Sequence, residues 1–140
     1  MEQFLGKWKE VKEGAESHRR FLEKIGVPEE IADKIIKYTA VYETVKDGDL
    51  IKMVSSYLED PNLNKTYNFK LNETFTDTDN FGQKFTVFCE IKNGKWYDKC
   101  SGYYNDATIE SVQEVVGDTL IVKTTCDGTS MVTKFKKQSE

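Results

Sequence analysis

Residues 109–136 read IESVQEVVGDTLIVKTTCDGTSMVTKFK. Apolar and polar residues alternate through this stretch, and the alternation breaks at Gly117-Asp118 and at Asp127-Gly128. Successive side chains of a strand point to opposite faces, so the charged residues fix which face is wet. Lys134 and Lys136 belong in water, which turns Met131, Thr133 and Phe135 inward. Lys123 outward puts Leu120, Val122, Thr124 and Cys126 inside. Glu110 and Glu114 outward put Ile109, Ser111, Gln113 and Val115 inside. Glycine beside aspartate supplies the positive φ angles of tight hairpins. The stretch therefore predicts three consecutive antiparallel strands with one shared inner face.

Further turn signals lie upstream at 46–49 (KDGD) and 92–95 (KNGK). The same parity sends Ile51, Met53, Ser55 and Tyr57 inward, with Tyr67, Phe69 and Leu71, and with Phe85, Val87, Cys89 and Ile91. Residues 40–46 and 96–104 are strand-like but do not sort by this test. About ten strands result, one ahead of a helical segment and nine after it. A meander this long must close, curl or split to protect its edges.

Residues 16–38 carry the helical pattern. Ser17 is expected to cap a first helix running to about Lys24, with Leu22 inside it. Gly26 ends that helix and Pro28 opens the next, in which Ile31, Ile35 and Tyr38 share a face. Equal numbers of acids and bases in this segment give no footing for DNA.

The inner face is mostly apolar but includes Ser55, Ser111, Gln113, Thr124 and Thr133. Buried polar groups need partners. Either they bond to one another in a filled barrel, or they line a cavity that holds water and a guest. Ten closed strands leave an interior too wide for side chains alone, which favours the cavity.

The 140 residues suit one domain, 1–140, and the net charge of −4 (20 basic, 24 acidic side chains) gives no footprint for nucleic acid. No apolar run reaches bilayer length, and the opening MEQFLG lacks the pattern of a secretory signal. Cys89, Cys100 and Cys126 are odd in number and widely spaced, which reads as free thiols in a cytoplasmic protein. With one histidine, His18, there is no multi-histidine metal site, and nothing points to a cofactor or an enzyme. Asp77 and Asp79 read as members of a solvated turn.

Three segments carry a family resemblance. FLGKWK (4–9), FLEKIGV (21–27) and FKLNETF (69–75) resemble the first strand, the first lid helix and the middle pattern of the intracellular lipid-binding proteins, the fatty-acid- and retinoid-binding family. The resemblance extends over essentially the whole chain. It implies a ten-stranded antiparallel up-and-down β-barrel, a clamshell of lipocalin-like architecture, with residues 16–38 as a two-helix lid. It also implies non-covalent carriage of a fatty acid or related small hydrophobic ligand by a cytoplasmic monomer, with transient membrane contact through the lid. Tyr57 falls where many members place an aromatic at the portal; a strand aromatic packed on the lid is the alternative. His18 falls where relatives have a ligand-touching phenylalanine, although an exposed helix histidine is the plainer reading.

The departures concern the head group. Many members hold a carboxylate with two arginines and a tyrosine. The matching positions here are Gln113, Thr133 and Phe135. Glutamine and threonine offer only neutral hydrogen bonds, whereas arginine offers a charged bidentate fork. A deep carboxylate is therefore not expected. The ligand is neutral, keeps its head at the portal, or is contacted through water, unless an unsorted strand brings in a lysine. The expected ligand wall comprises Gln113, Thr133, Phe135, Met131, Ser111, Val122 and Thr124 from the late strands. Met53 and Tyr57 join from the early strands, and Leu22, Ile35 and His18 from the lid. The rival reading is a ligand-free barrel acting as a protein-interaction module.

Overall fold

A computed structural model describes residues 1–139; Glu140, the last residue of the expected domain, lies outside the described residues. Ten strands form one antiparallel sheet: β1 Gly6–Val11, β2 Ala40–Asp47, β3 Leu50–Tyr57, β4 Asp60–Lys70, β5 Phe75–Thr78, β6 Lys84–Lys92, β7 Lys95–Ser101, β8 Ile109–Val116, β9 Thr119–Cys126 and β10 Thr129–Gln138. The spatial order is β4-β3-β2-β1-β10-β9-β8-β7-β6-β5. The expected up-and-down barrel is present, and β1 joins its two halves by pairing with both β2 and β10.

The four hairpin turns signalled by glycine in the sequence divide by chemistry. Asn93-Gly94 and Asp127-Gly128 have positive φ at both residues, the type I′ requirement. Gly48 and Gly117 stand first in their two-residue turns and alone carry positive φ there, the type II′ pattern. Each turn holds its register, so the parity read from the lysines survives intact along β8, β9 and β10.

The lid is α1 Ala15–Lys24 and α2 Glu29–Lys37, close to the expected 16–38. Ser17 is not the cap. Gly14 occupies that position, and Ser17, already inside the helix, donates its hydroxyl back to the Gly14 carbonyl at 2.9 Å. Phe21, Leu22, Ile25, Val27 and Ala32 pack with Ile109 and Cys126 over one end of the barrel. Gly26 turns between the helices at φ +85, where a Cβ would strike the Asn105 amide at 1.9 Å. At the other end a 3-10 turn, Glu2–Phe4, sets Phe4 edge-on to Trp96 at 5.6 Å, and Trp8 donates its indole N–H to the Phe4 carbonyl.

The two outermost strands, β4 and β5, share no ladder. Side chains join them instead. Lys65 donates to Thr78 Oγ1 at 2.8 Å and pairs with Asp77 at 2.9 Å, while the Tyr67 hydroxyl donates to the Thr78 carbonyl at 2.9 Å. Asn80 is the main fastener. Its amide donates to the carbonyls of Leu63 (2.8 Å) and Ser55 (3.1 Å), and its carbonyl accepts from Ser55 Oγ at 3.2 Å. Removing a half-buried group with several such bonds costs about 1–3 kcal/mol. Asn80→Ala is expected to lower the free energy of unfolding in urea by that amount and to speed amide exchange in β4 and β5 before the rest of the barrel. Uniform exchange across all strands would show that the seam is not the weak line.

Candidate functional site: the barrel cavity

A cavity of about 430 Å³ runs through the middle of the barrel. Every side chain expected at the ligand wall lines it: Gln113, Thr133, Phe135, Met131, Ser111, Val122 and Thr124, Met53 and Tyr57, and Leu22, Ile35 and His18 from the lid. Register explains the arrangement. Trp96, Gln113, Val122 and Thr133 face each other across β7, β8, β9 and β10 as one row, and Asp98, Ser111, Thr124 and Met131 make the adjacent row.

The two readings of the inward polar groups both apply. Ser111 and Thr124 share a hydrogen bond at 3.2 Å, Ser55 bonds Asn80, and Gln113 donates to Asp98 Oδ2 at 3.2 Å, yet the cavity remains. The strands that parity left unsorted contribute Ala40, Tyr42, Thr44, Trp96, Asp98 and Cys100 to the wall. No lysine or arginine lines the cavity among the described residues, so the inward lysine left open by the sequence is not there.

His18 corrects its plainer reading. It is buried, not exposed, lines the cavity, and donates Nε2–H to the Val132 carbonyl at 2.9 Å. Its place on α1 turns the imidazole under the helix against β10. Tyr57 satisfies both alternatives: it lines the cavity and packs between Tyr38, just after α2, and Phe81 in the β5–β6 turn, at 6.2 and 5.8 Å. Asp79 corrects another expectation. It is not a solvated turn residue but the organiser of the 79–83 turn. Its carboxylate accepts the N–H groups of Phe81 and Gln83, each at 2.9 Å, and the Tyr103 hydroxyl. That hydroxyl, deep and beside Asp79, is held far above the ordinary phenol range by burial first and the carboxylate second.

Asp98 is the group the sequence reading missed. The signal was available: Lys99 outward would have turned Asp98 inward with Trp96 and Cys100. Its Oδ1 accepts the Trp96 indole N–H at 2.6 Å. Burial raises its carboxyl above the ordinary value, and hydrogen bonds with Cys89, Trp96 and Gln113 offset this only in part. Burial likewise pushes the Tyr42 phenol up to about 12, with the Glu10 charge adding to it.

No family model matches the chain. Solved structures do. A fatty-acid-binding protein of Echinococcus granulosus superposes with a TM-score of 0.88 at 20% identity, over 99% of this chain and 100% of that one. A fatty-acid-binding protein of Schistosoma mansoni, in complex with arachidonic acid, gives 0.86 at 25% identity, over 99% and 98%. A secretory abundant heat soluble protein of Ramazzottius varieornatus gives 0.83 at 20% identity, over 97% and 96%. The chain has the fold of the intracellular lipid-binding proteins, and the resemblance read from its three segments holds along its length.

The raised Asp98 carboxyl has a consequence for stability. The folded state binds this proton more tightly than the unfolded chain does. Its contribution is therefore full below the ordinary 3.8 and is lost as pH rises through the raised value. Chemical unfolding of the native protein and Asp98→Asn across acid to neutral pH should show the native chain losing stability relative to the variant over that interval. Parallel pH profiles would contradict the assignment.

Proposed function

We propose that this chain is a non-enzymatic carrier that binds a fatty acid or related small hydrophobic ligand non-covalently inside the barrel, as a cytoplasmic monomer. The cavity carries the reading: about 430 Å³ of space walled mainly by apolar and aromatic side chains, within the usual range of small-molecule sites. Each buried methylene contributes about 0.8 kcal/mol, so a long acyl chain supplies much of the roughly 8 kcal/mol of a micromolar complex. The fold neighbours named as fatty-acid-binding proteins support the same reading.

Gln113, Thr133 and Phe135 stand in the reading where many relatives place the carboxylate clamp, and they offer no cation. A fatty acid is therefore held tail-inward, with its carboxylate at the lid end in contact with water. Tyr57, Phe81 and Ile35 line the cavity beside that end and make a suitable portal. Leu22 and His18 close it from α1. The lid touches membranes transiently during transfer. The neutral helix pair gives anionic lipid no strong hold.

Displacement of a fluorescent fatty acid from delipidated protein is the direct test. Saturable displacement by long-chain lipids is expected. Thr133→Trp, which sets an indole into the lumen, should weaken binding at least tenfold while the barrel still unfolds cooperatively. A folded barrel that takes up no probe would end the carrier reading and leave the interaction module.

A further inference from the structure

Three carboxylates line the cavity: Glu10, Asp79 and Asp98. Two already have their charge or geometry committed. Glu10 accepts the Ala40 N–H at 3.0 Å and pairs with Lys12 at 3.1 Å. Asp79 holds its own turn together, as described above. Asp98 differs, because its donors are the Trp96 indole, the Gln113 amide and the Cys89 thiol, all neutral. It is half-buried and lines the cavity, so the surface it keeps open faces the lumen.

The residues around it supply no cation. Its own row holds Ser111, Thr124 and Met131, and the row beside it Gln113, Val122 and Thr133. Hydrogen-bond direction adds to this. The Gln113 amide gives its N–H to Asp98, which leaves Gln113 Oε1 as an acceptor for anything that enters. The inner wall thus presents an acid and open acceptors. A carboxylate head there meets a second acid with no cation beside it. A hydroxyl head offers one donor. An ammonium offers three donors and favours the ionised form of Asp98 that burial alone disfavours.

We propose that the inner end of the cavity receives the head of a hydrophobic amine. Its ammonium pairs with Asp98 and donates to Gln113 Oε1, and its hydrocarbon lies along the apolar wall toward the lid. The proposal rests on the carrier reading and narrows its ligand class. Asp98 would be a binding residue, and Gln113 would both position it and contact the guest.

Titration calorimetry of the delipidated full chain at neutral pH with dodecylamine, dodecanol and laurate, each kept monomeric, tests it. The amine is expected to bind at least tenfold more tightly than the alcohol, with laurate weakest. Asp98→Asn should erase the amine's advantage over the alcohol. Thr133→Lys, which sets a cation on β10 in the row beside that of Asp98, should reverse the order in favour of laurate. An amine that binds no more tightly than the alcohol, or an advantage that persists in Asp98→Asn, overturns the proposal while alcohol or laurate binding keeps the carrier. If Asp98→Asn does not fold, the ranking on the native chain and the Thr133→Lys reversal decide. Failure of all three probes to bind overturns the carrier reading together with this one.

Discussion

A sheet of ten strands that curls on itself must settle what happens where its two outer strands meet. Here β4 and β5 come together without a backbone ladder, and both edges would be left with unsatisfied groups. Asn80, Lys65 and Tyr67 take over that duty by bonding to carbonyls and hydroxyls across the seam. The turn that carries Asn80 is itself set by Asp79, which is tied to Tyr103 on the β7–β8 connection. Edge closure, the mouth of the cavity and the segment under the lid are thereby one connected piece of chemistry. Opening the lid end would act on bonds that also hold the barrel shut.

The same closure fixes the lumen. A barrel of this girth leaves space that side chains do not fill, so its interior behaves as a small, poorly solvated compartment. Polar groups there count for more than their number suggests. Ser111 and Thr124 neutralise each other's demands, and Glu10 has Lys12. Asp98 is answered only by neutral donors, which is why burial dominates its titration. The wall is therefore apolar over most of its area, with an acid set into it.

Most of the fold could be read from the chain because lysine and glutamate mark the wet face of a strand without ambiguity. Lys123, Lys134, Glu110 and Glu114 fixed the inner row of three strands, and the Gly117-Asp118 and Asp127-Gly128 pairs fixed the register between them. Residues 96–104 resisted because aromatic and charged residues occur on both parities: Trp96 is buried and Tyr97 half-buried, while Asp98 inside and Lys99 outside are both charged. Parity assumes that charge marks the outside, and Asp98 violates that assumption. His18 and Asp79 were misread for a related reason. Each looks like a surface residue by type, and each is drawn in by one long-range partner, Val132 or Tyr103, that local pattern does not encode.

Sites that break local rules are where function is to be sought, and a carboxyl group in a cavity carries a desolvation cost that most strand positions avoid. An apolar residue at position 98 would spare the barrel the carboxyl's desolvation cost but would leave the Trp96 and Gln113 N–H groups without their acceptor. Gln113 and Thr133 offer only neutral groups at the inner wall, and Asp98 adds an acid whose donors are neutral. Both features act in one direction, away from anionic heads. An acid that lines an open cavity, with no lysine or arginine beside it among the described residues, suits the cationic guest proposed above.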